Sequence, residues 1–261
     1  MTIQERSIAS YQPVFTTSLF DHNKDAKFWV GDISCLDERD IVYDAIGKLR
    51  ANVYINEMQF LPPDTLDNEG REYDEFDNRS VQFVTLENIT DESYRDLPNT
   101  RLIGCGRLIF KNFEEEYLPI ERQFSELFDK NPAPVGSGEV SRFIARHEDS
   151  AIQHLVGVAI IRAMTYYGLE KNTDTGYFEI EKQLLRLLKA IKLPLEQLGV
   201  AKDVLEPGGL RQLYPIKINP QTIMSSANSD PSRSLGKLFN GGKNNSISDL
   251  YGVNLIDAVH E

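Results

Sequence analysis

The sequence has little that would cross-link a chain or hold it in a bilayer. Its 261 residues include two cysteines, Cys35 and Cys105, far apart and outside any CxxC pair or Cys/His ligand spacing. That excludes a disulfide framework and a structural zinc site, so no metal is expected and both thiols read as reduced core residues. No apolar run approaches the roughly 20 residues that span a bilayer. The first thirty residues carry Asp21, His22, Lys24, Asp25 and Lys27 and lack the apolar segment of a secretory leader. The expectation is a cytoplasmic protein with no integral membrane segment. Basic residues are also scarce: 28 Lys plus Arg against 40 Asp plus Glu give a formal charge of −12. Wholesale wrapping of nucleic acid or of an anionic membrane therefore lacks its driving force, and an anionic partner has to be met by a local basic patch.

What is present is core-building material, 41% apolar residues and 10% aromatics, enough for a large buried domain. Residues 1–32 are polar and aperiodic apart from Phe28, Trp29 and Val30, and read as a leader laid on the surface. From Asp37, a candidate N-cap, Ile41, Val42, Ala45, Ile46, Leu49 and Val53 recur at three- and four-residue steps, which is one face of a helix. A polar Pro, Asp, Asn and Gly segment from Leu61 to Arg79 follows, longer than an ordinary connection, which marks a functional loop. Strands are expected at Ser80–Glu87, Arg101–Phe110, Gly138–His147 and Tyr177–Ile180. A helix apolar nearly all round is expected over Ile152–Tyr167, a second over Lys182–Ile191, and two further strands around Pro207-Gly208-Gly209. The order of elements is α/β with a mixed sheet. Residues 33–218 make the domain, and 219–261, rich in Ser, Asn, Gly and Lys, read as a mobile low-complexity tail.

Three charged groups sit on or beside these elements. Arg50 and Tyr54 are one helical turn apart, on the same face, with Phe60 six residues on. Asp74 and Asp77 pair carboxylates in the loop. Glu139-Val140-Ser141-Arg142-Phe143 lies in a strand, some thirty residues after Gly104-Cys105-Gly106-Arg107. In a regular strand residues 139 and 142 face opposite ways unless a bulge intervenes, and a bulge would also turn backbone N–H groups outward toward a developing oxyanion. Lys182, Arg186 and Lys189 form a basic stripe on one helix, a candidate address for an acidic partner, with a solvated helix face as the equal alternative.

In joint order and spacing, Arg50, Tyr54, Phe60, Asp74, Asp77, Arg107, Glu139 and Arg142 resemble the motifs of the autoinducer synthases, the acyl-homoserine-lactone synthases, and of their relatives that make long-chain N-acyl amino acids. The resemblance implies an acetyltransferase-like (GNAT-like) three-layer sandwich, a central mixed and mostly antiparallel sheet flanked by helices. It implies a thioester donor on acyl carrier protein phosphopantetheine or coenzyme A, a small-molecule amine acceptor and no bound cofactor. Glu139, with Arg142 and Phe143, would form the catalytic segment, Glu139 acting as base directly or through a water. Arg50, Tyr54, Phe60, Asp74, Asp77 and Arg107 would bind and orient the substrate, as a network that could equally be structural. Phe60 stands where the lactone synthases usually have tryptophan. The chain length and the LLRLLKAIKLPLEQLG and GGLRQLYPI stretches look closer to the N-acyl amino acid synthases and to acyltransferases associated with exosortase systems. An N-acyl amino acid synthase is therefore the first expectation, a lactone synthase using S-adenosylmethionine the second, and a non-catalytic acyl- or partner-binding module the third. The segment before the long buried helix, HEDSAIQHLVG, holds a single glycine and no pyrophosphate nest, which favours a carrier-protein donor over free acyl-CoA.

Overall fold

A computed structural model describes residues 14–16, 28–36, 39–88, 99–231 and 234–239. The chain runs β1 (Val14–Thr16), β2 (Phe28–Asp32), α1 (Arg39–Ala51), β3 (Ser80–Asn88), β4 (Asn99–Phe110), α2 (Pro119–Gln123), α3 (Ser125–Phe128) and β5 (Gly138–Ala145). It continues through α4 (Ser150–Glu170), β6 (Gly176–Glu181), α5 (Lys182–Ala190), β7 (Glu196–Gln197), β8 (Lys202–Glu206), β9 (Gly209–Ile218), α6 (Pro220–Ser229) and α7 (Ser234–Phe239). One sheet has the order β2-β3-β4-β5-β6-β9-β7, with β1 added on β4 and β8 on β9. The expected mixed, mostly antiparallel sheet is what forms: β5 with β6 is the one parallel pair among the described strands.

Alternation within the strands divides the core between the two faces. Phe83 and Val84, successive in β3, belong to different apolar clusters. On one face lies α4, buried at Val156, Val158, Ile160, Ile161 and Met164. On the other, Val42, Ile46 and Leu49 of α1 pack on Val84, Leu86 and Leu102. The glycines of β4 serve this packing. A Cβ at Gly104 would come within 2.5 Å of Val156 and one at Gly106 within 2.8 Å of Met164, so their absence lets α4 lie close on the sheet.

α4 is apolar all round because its outer side is also covered, and this corrects the expected tail. Asn219 caps α6 by accepting from the Thr222 N–H, and Pro220 occupies its first turn. Ile223, Ala227, Leu235, Leu238 and Phe239 are buried in the same cluster as α4. Arg162 of α4, fully buried, donates to the Leu238 carbonyl at 3.2 Å, and the Tyr166 hydroxyl donates to that of Phe239. Low-complexity composition concealed a short apolar spacing sufficient to dock; residues 240–261 lie outside the described residues. The leader is corrected in the same way, since β1 pairs with β4 and β2 with β3, and Phe28 and Val30 are core. The expected Asp37 cap and the side chain of Cys35 fall outside the described residues; Cys105 is a buried free thiol.

Candidate active site

The site begins with a defect in β5. Cys105 pairs with Ile144 and Arg107 with Ser141, so two residues, Arg142 and Phe143, face the single residue Gly106. Arg142 takes a φ of 51°, unusual for a residue with a side chain. This is the bulge that would reconcile Glu139 with Arg142, and both side chains line one cavity. β5 and β6 are paired only from Gly138 with Gly176 to Val140 with Phe178. Beyond that rung they part, and a cavity of about 900 Å3 opens between Ser141, Arg142 and Phe143 on one side and Glu179, Ile180 and Glu181 on the other. On that side the backbone edge of β5 past Val140 has no partner among the described strands.

Beside the cavity lies a buried ion network. Arg50, fully buried, donates to Glu72 and, through both terminal nitrogens, to Asp77 at 2.8 and 3.0 Å. Arg107 donates to both oxygens of Asp74 and, through Nε, to Ser141 Oγ at 2.8 Å. Arg142 donates to Glu72 at 2.8 Å and to Asp74 at 3.0 Å, and Gln82 donates to Asp77 at 2.8 Å. Three guanidinium groups thus balance three carboxylates, the condition for keeping charges out of water. Burial opposes the Asp77 charge, but the bonds and charges of Arg50 and Arg107 hold its carboxyl well below the usual range; Asp74 is lowered in the same sense by Arg107 and Arg142.

Of the residues expected to bind substrate, Arg50 and Asp77 are not among those lining the cavity; bonded to each other they tie α1 to the loop, the structural side of the expectation. Tyr54, Phe60, Asp74 and Arg107 do line it. α1 widens into a π-helical stretch, Asn52–Glu57, which carries Tyr54 to the cavity wall. There its hydroxyl donates to the Phe143 carbonyl at 3.1 Å, with the Arg142 guanidinium 5.6 Å from its ring centre. Phe60 stacks with Tyr54, centroids 6.2 Å apart, and contacts Arg211, whose guanidinium is 3.5 Å from the Phe60 ring centre and is bonded to Glu181 and Glu206.

Glu139 is 1% exposed, and its Oε2 accepts the Ile120 N–H at 2.8 Å. Burial, and then the neighbouring Glu179, raise its pKa well above the ordinary carboxylate value. Glu179, absent from the expected site, has an Oε1 shielded from solvent with no hydrogen-bond partner among the described residues. Burial pushes its pKa up to about 7 against the opposing charges of Arg142 and Arg211. The other residue missed is Glu72, 1% exposed and the joint acceptor of Arg50 and Arg142.

Lys182, Arg186 and Lys189 are exposed on α5, whose Gln183 and Leu184 reach the cavity. At the start of α4 the Asp149 carboxylate accepts from the N–H groups of Ala151 and Ile152. Among the described residues no cluster suited to a metal occurs, and no helix is long and apolar enough to cross a membrane.

No family model and no curated protein sequence matches the chain. Solved structures do. The AHL synthase LasI superposes with a TM-score of 0.55 at 16% identity, over 74% of this chain and 89% of LasI. BjaI, a CoA-dependent acyl-homoserine lactone synthase solved with SAM and isopentyl-CoA, gives 0.53 at 16% identity, over 78% and 89%. The N-acyl amino acid synthase FeeM, from uncultured soil microbes, gives 0.47 at 11% identity, over 74% and 92%, a weaker likeness on which nothing below rests. The chain has the acetyltransferase-like fold that the acyl-homoserine-lactone synthases share, a sheet between two helical layers with a cleft where β5 and β6 part.

Proposed function

We propose that the protein is an N-acyltransferase that moves a fatty acyl group from a carrier thioester to the amine of a small amino-acid-like acceptor. The observation that carries this reading is the cleft: in a fold shared with acyl-homoserine-lactone synthases, β5 and β6 part to leave a β5 edge unpaired among the described strands, beside a cavity lined by two carboxyls of raised pKa, Glu139 and Glu179. The free edge of β5 past the bulge offers amide groups to a pantetheine arm, whose own amides can pair with it as a short strand. Outward N–H groups at the bulge would meet the oxyanion as the thioester carbonyl is attacked. An amine is a nucleophile only when neutral, so a group in the cavity has to take its proton; the carboxyls of Glu139 and Glu179, both raised by burial, are the candidates. Arg142 and Phe143 shape the bulge, and Tyr54, Phe60, Asp74 and Arg107 wall the acceptor end.

Two features support the finer choices. The Asp149 carboxylate occupies the N–H groups at the start of α4 where a pyrophosphate would bind, which favours acyl carrier protein over coenzyme A as donor. The exposed stripe of Lys182, Arg186 and Lys189 on α5, the helix whose Gln183 and Leu184 line the cavity, suits an acidic carrier. The Arg211 guanidinium already lies against the Phe60 ring, where it competes with a sulfonium cation, which supports an amino acid over S-adenosylmethionine as acceptor. Mass spectrometry of lipid extracts from expressing cells tests the reading. An N-acyl amino acid is expected; a homoserine lactone would replace the acceptor, and extracts unchanged from control would leave a non-catalytic module.

A further inference from the structure

The two carboxyls in the cavity differ in a way that assigns them different work. Glu139 is deep, with Oε2 held by the Ile120 N–H, and its strand register fixes it opposite Tyr177, inside the paired stretch of β5 and β6. Glu179 stands one residue past the last rung, Val140 with Phe178, where the strands have parted and a substrate can enter. Its backbone is anchored by pairing of β6 with β9, at Pro215. Its Oε1 is shielded and bonded to nothing among the described residues, an unfavourable state for a polar group that a donor would relieve. Every carboxylate of the adjacent ion network has arginine partners; Glu179 lines the cavity and its Oε1 has none among the described residues.

We propose that Glu179 is a catalytic residue that binds the acceptor's ammonium group and takes its proton, Glu139 being the positioning residue beneath it. This rests on the acyl-transfer reading above and narrows the acceptor class to primary amines that are ammonium ions at neutral pH. Glu179 accepts one proton from the ammonium, and the nitrogen attacks the thioester carbonyl. The C–N bond forms and the C–S bond breaks as the tetrahedral intermediate collapses. The second nitrogen proton leaves with the sulfur as thiol, and Glu179 returns its proton to solvent, so the amide, the thiol and one net proton balance the reactants. The groups facing Glu179 set its charge: Arg142 and Glu139 from β5, Arg211 from β9, and Glu206 and Lys202 from β8. Their mixed signs leave burial as the dominant influence, which places its titration at about 7, where a base for this step is needed.

The test uses the full chain with a dodecanoyl-pantetheine donor and an equimolar mixture of amino acids. Glu179→Gln is expected to lower N-acyl product formation at pH 7 by ~10²-fold or more, and Glu139→Gln by ~10-fold or less. With hydroxylamine as acceptor, uncharged at neutral pH, most of the Glu179→Gln loss should disappear. In parallel, NMR of carboxyl-13C glutamate identifies the Glu179 resonance by its loss in the variant, and methylammonium chloride should shift it where tetramethylammonium does not. If the wild type makes no N-acyl product yet the Glu179 resonance responds to methylammonium, acyl transfer fails and the amine site stands. A resonance indifferent to methylammonium overturns the assignment, as do wild-type acylation by Glu179→Gln, equal losses with hydroxylamine and amino acids, or a larger loss in Glu139→Gln.

Discussion

Two groups of acids, one beside the cavity and one lining it, have opposite chemistry. Glu72, Asp74 and Asp77 are engaged by Arg50, Arg107 and Arg142 and are acidic beyond their ordinary range or fully committed to bonds. Glu139 and Glu179 share a cavity with one backbone donor between them and titrate well above it. Burial acts on both groups in the same direction. The difference is whether a guanidinium meets the carboxylate, which means that charge alone does not mark a reactive site; an unfilled acceptor does.

The largest effect should come from breaking the saturated group. Arg50→Ala leaves Asp77 buried without its main partner and Glu72 with Arg142 alone, and should cost about 3–5 kcal/mol, read as a lower denaturant midpoint. Cost below 1 kcal/mol would show that the network relaxes or hydrates, and the contrast with the cavity acids would lose its meaning.

The pH dependence of stability should then separate the groups by sign. The folded-state pKa values of Asp74 and Asp77 lie below their unfolded values, so their contribution is present above the ordinary aspartate range near pH 4 and is lost as pH falls further. Glu179 is raised, so the folded state is favoured while it stays protonated, and that advantage is lost as pH rises from its ordinary value of 4.5 to about 7. Denaturation curves from pH 3 to 8 should show both limbs. Glu179→Gln should flatten the limb between 4.5 and 7 and leave the acid limb unchanged; an unaltered upper limb would place its titration elsewhere.

The smallest effect on stability belongs to charges that are neither buried nor engaged. Reversing Lys182, Arg186 and Lys189 to Glu should change the unfolding free energy by no more than about 0.5 kcal/mol. It should nevertheless raise the KM for an acyl carrier protein thioester on the order of 10-fold while leaving acyl-pantetheine unaffected, an effect that fades as salt screens beyond a Debye length of ~10 Å at 0.1 M. Equal losses with both donors would make α5 a wall of the cavity and not a docking face.

How much of this was legible depended on whether the information was local. α1 and α4 were readable because their apolar periodicity extends over several turns, and the strand around Glu139 because its motif is contiguous. The bulge could be posed as a condition, since residues 139 and 142 have the wrong parity for one face, but Arg142 at positive φ required the pairing with β4. Glu72 could not be found: it stands among Arg71 and Tyr73 in a polar loop, and nothing local says that α1 and β5 will both close on it. Glu179 in YFEIE reads as the polar position of an alternating strand, and only the parting of β5 from β6 turns that position into a cavity wall. α6 carried a faint local sign, an Asn-Pro start with Ile223 and Ala227 four residues apart, overridden by the surrounding serines and asparagines.

The docking of α6 and α7 on α4 bears on how the molecule is made. During synthesis α4 emerges some fifty residues before the helix that covers it, so its outer apolar side and the buried guanidinium of Arg162 stay uncovered until Leu238 arrives. A chain broken off before Leu235 would present that stripe to chaperones and proteases, and the domain closes its core only when its last described helix is in place.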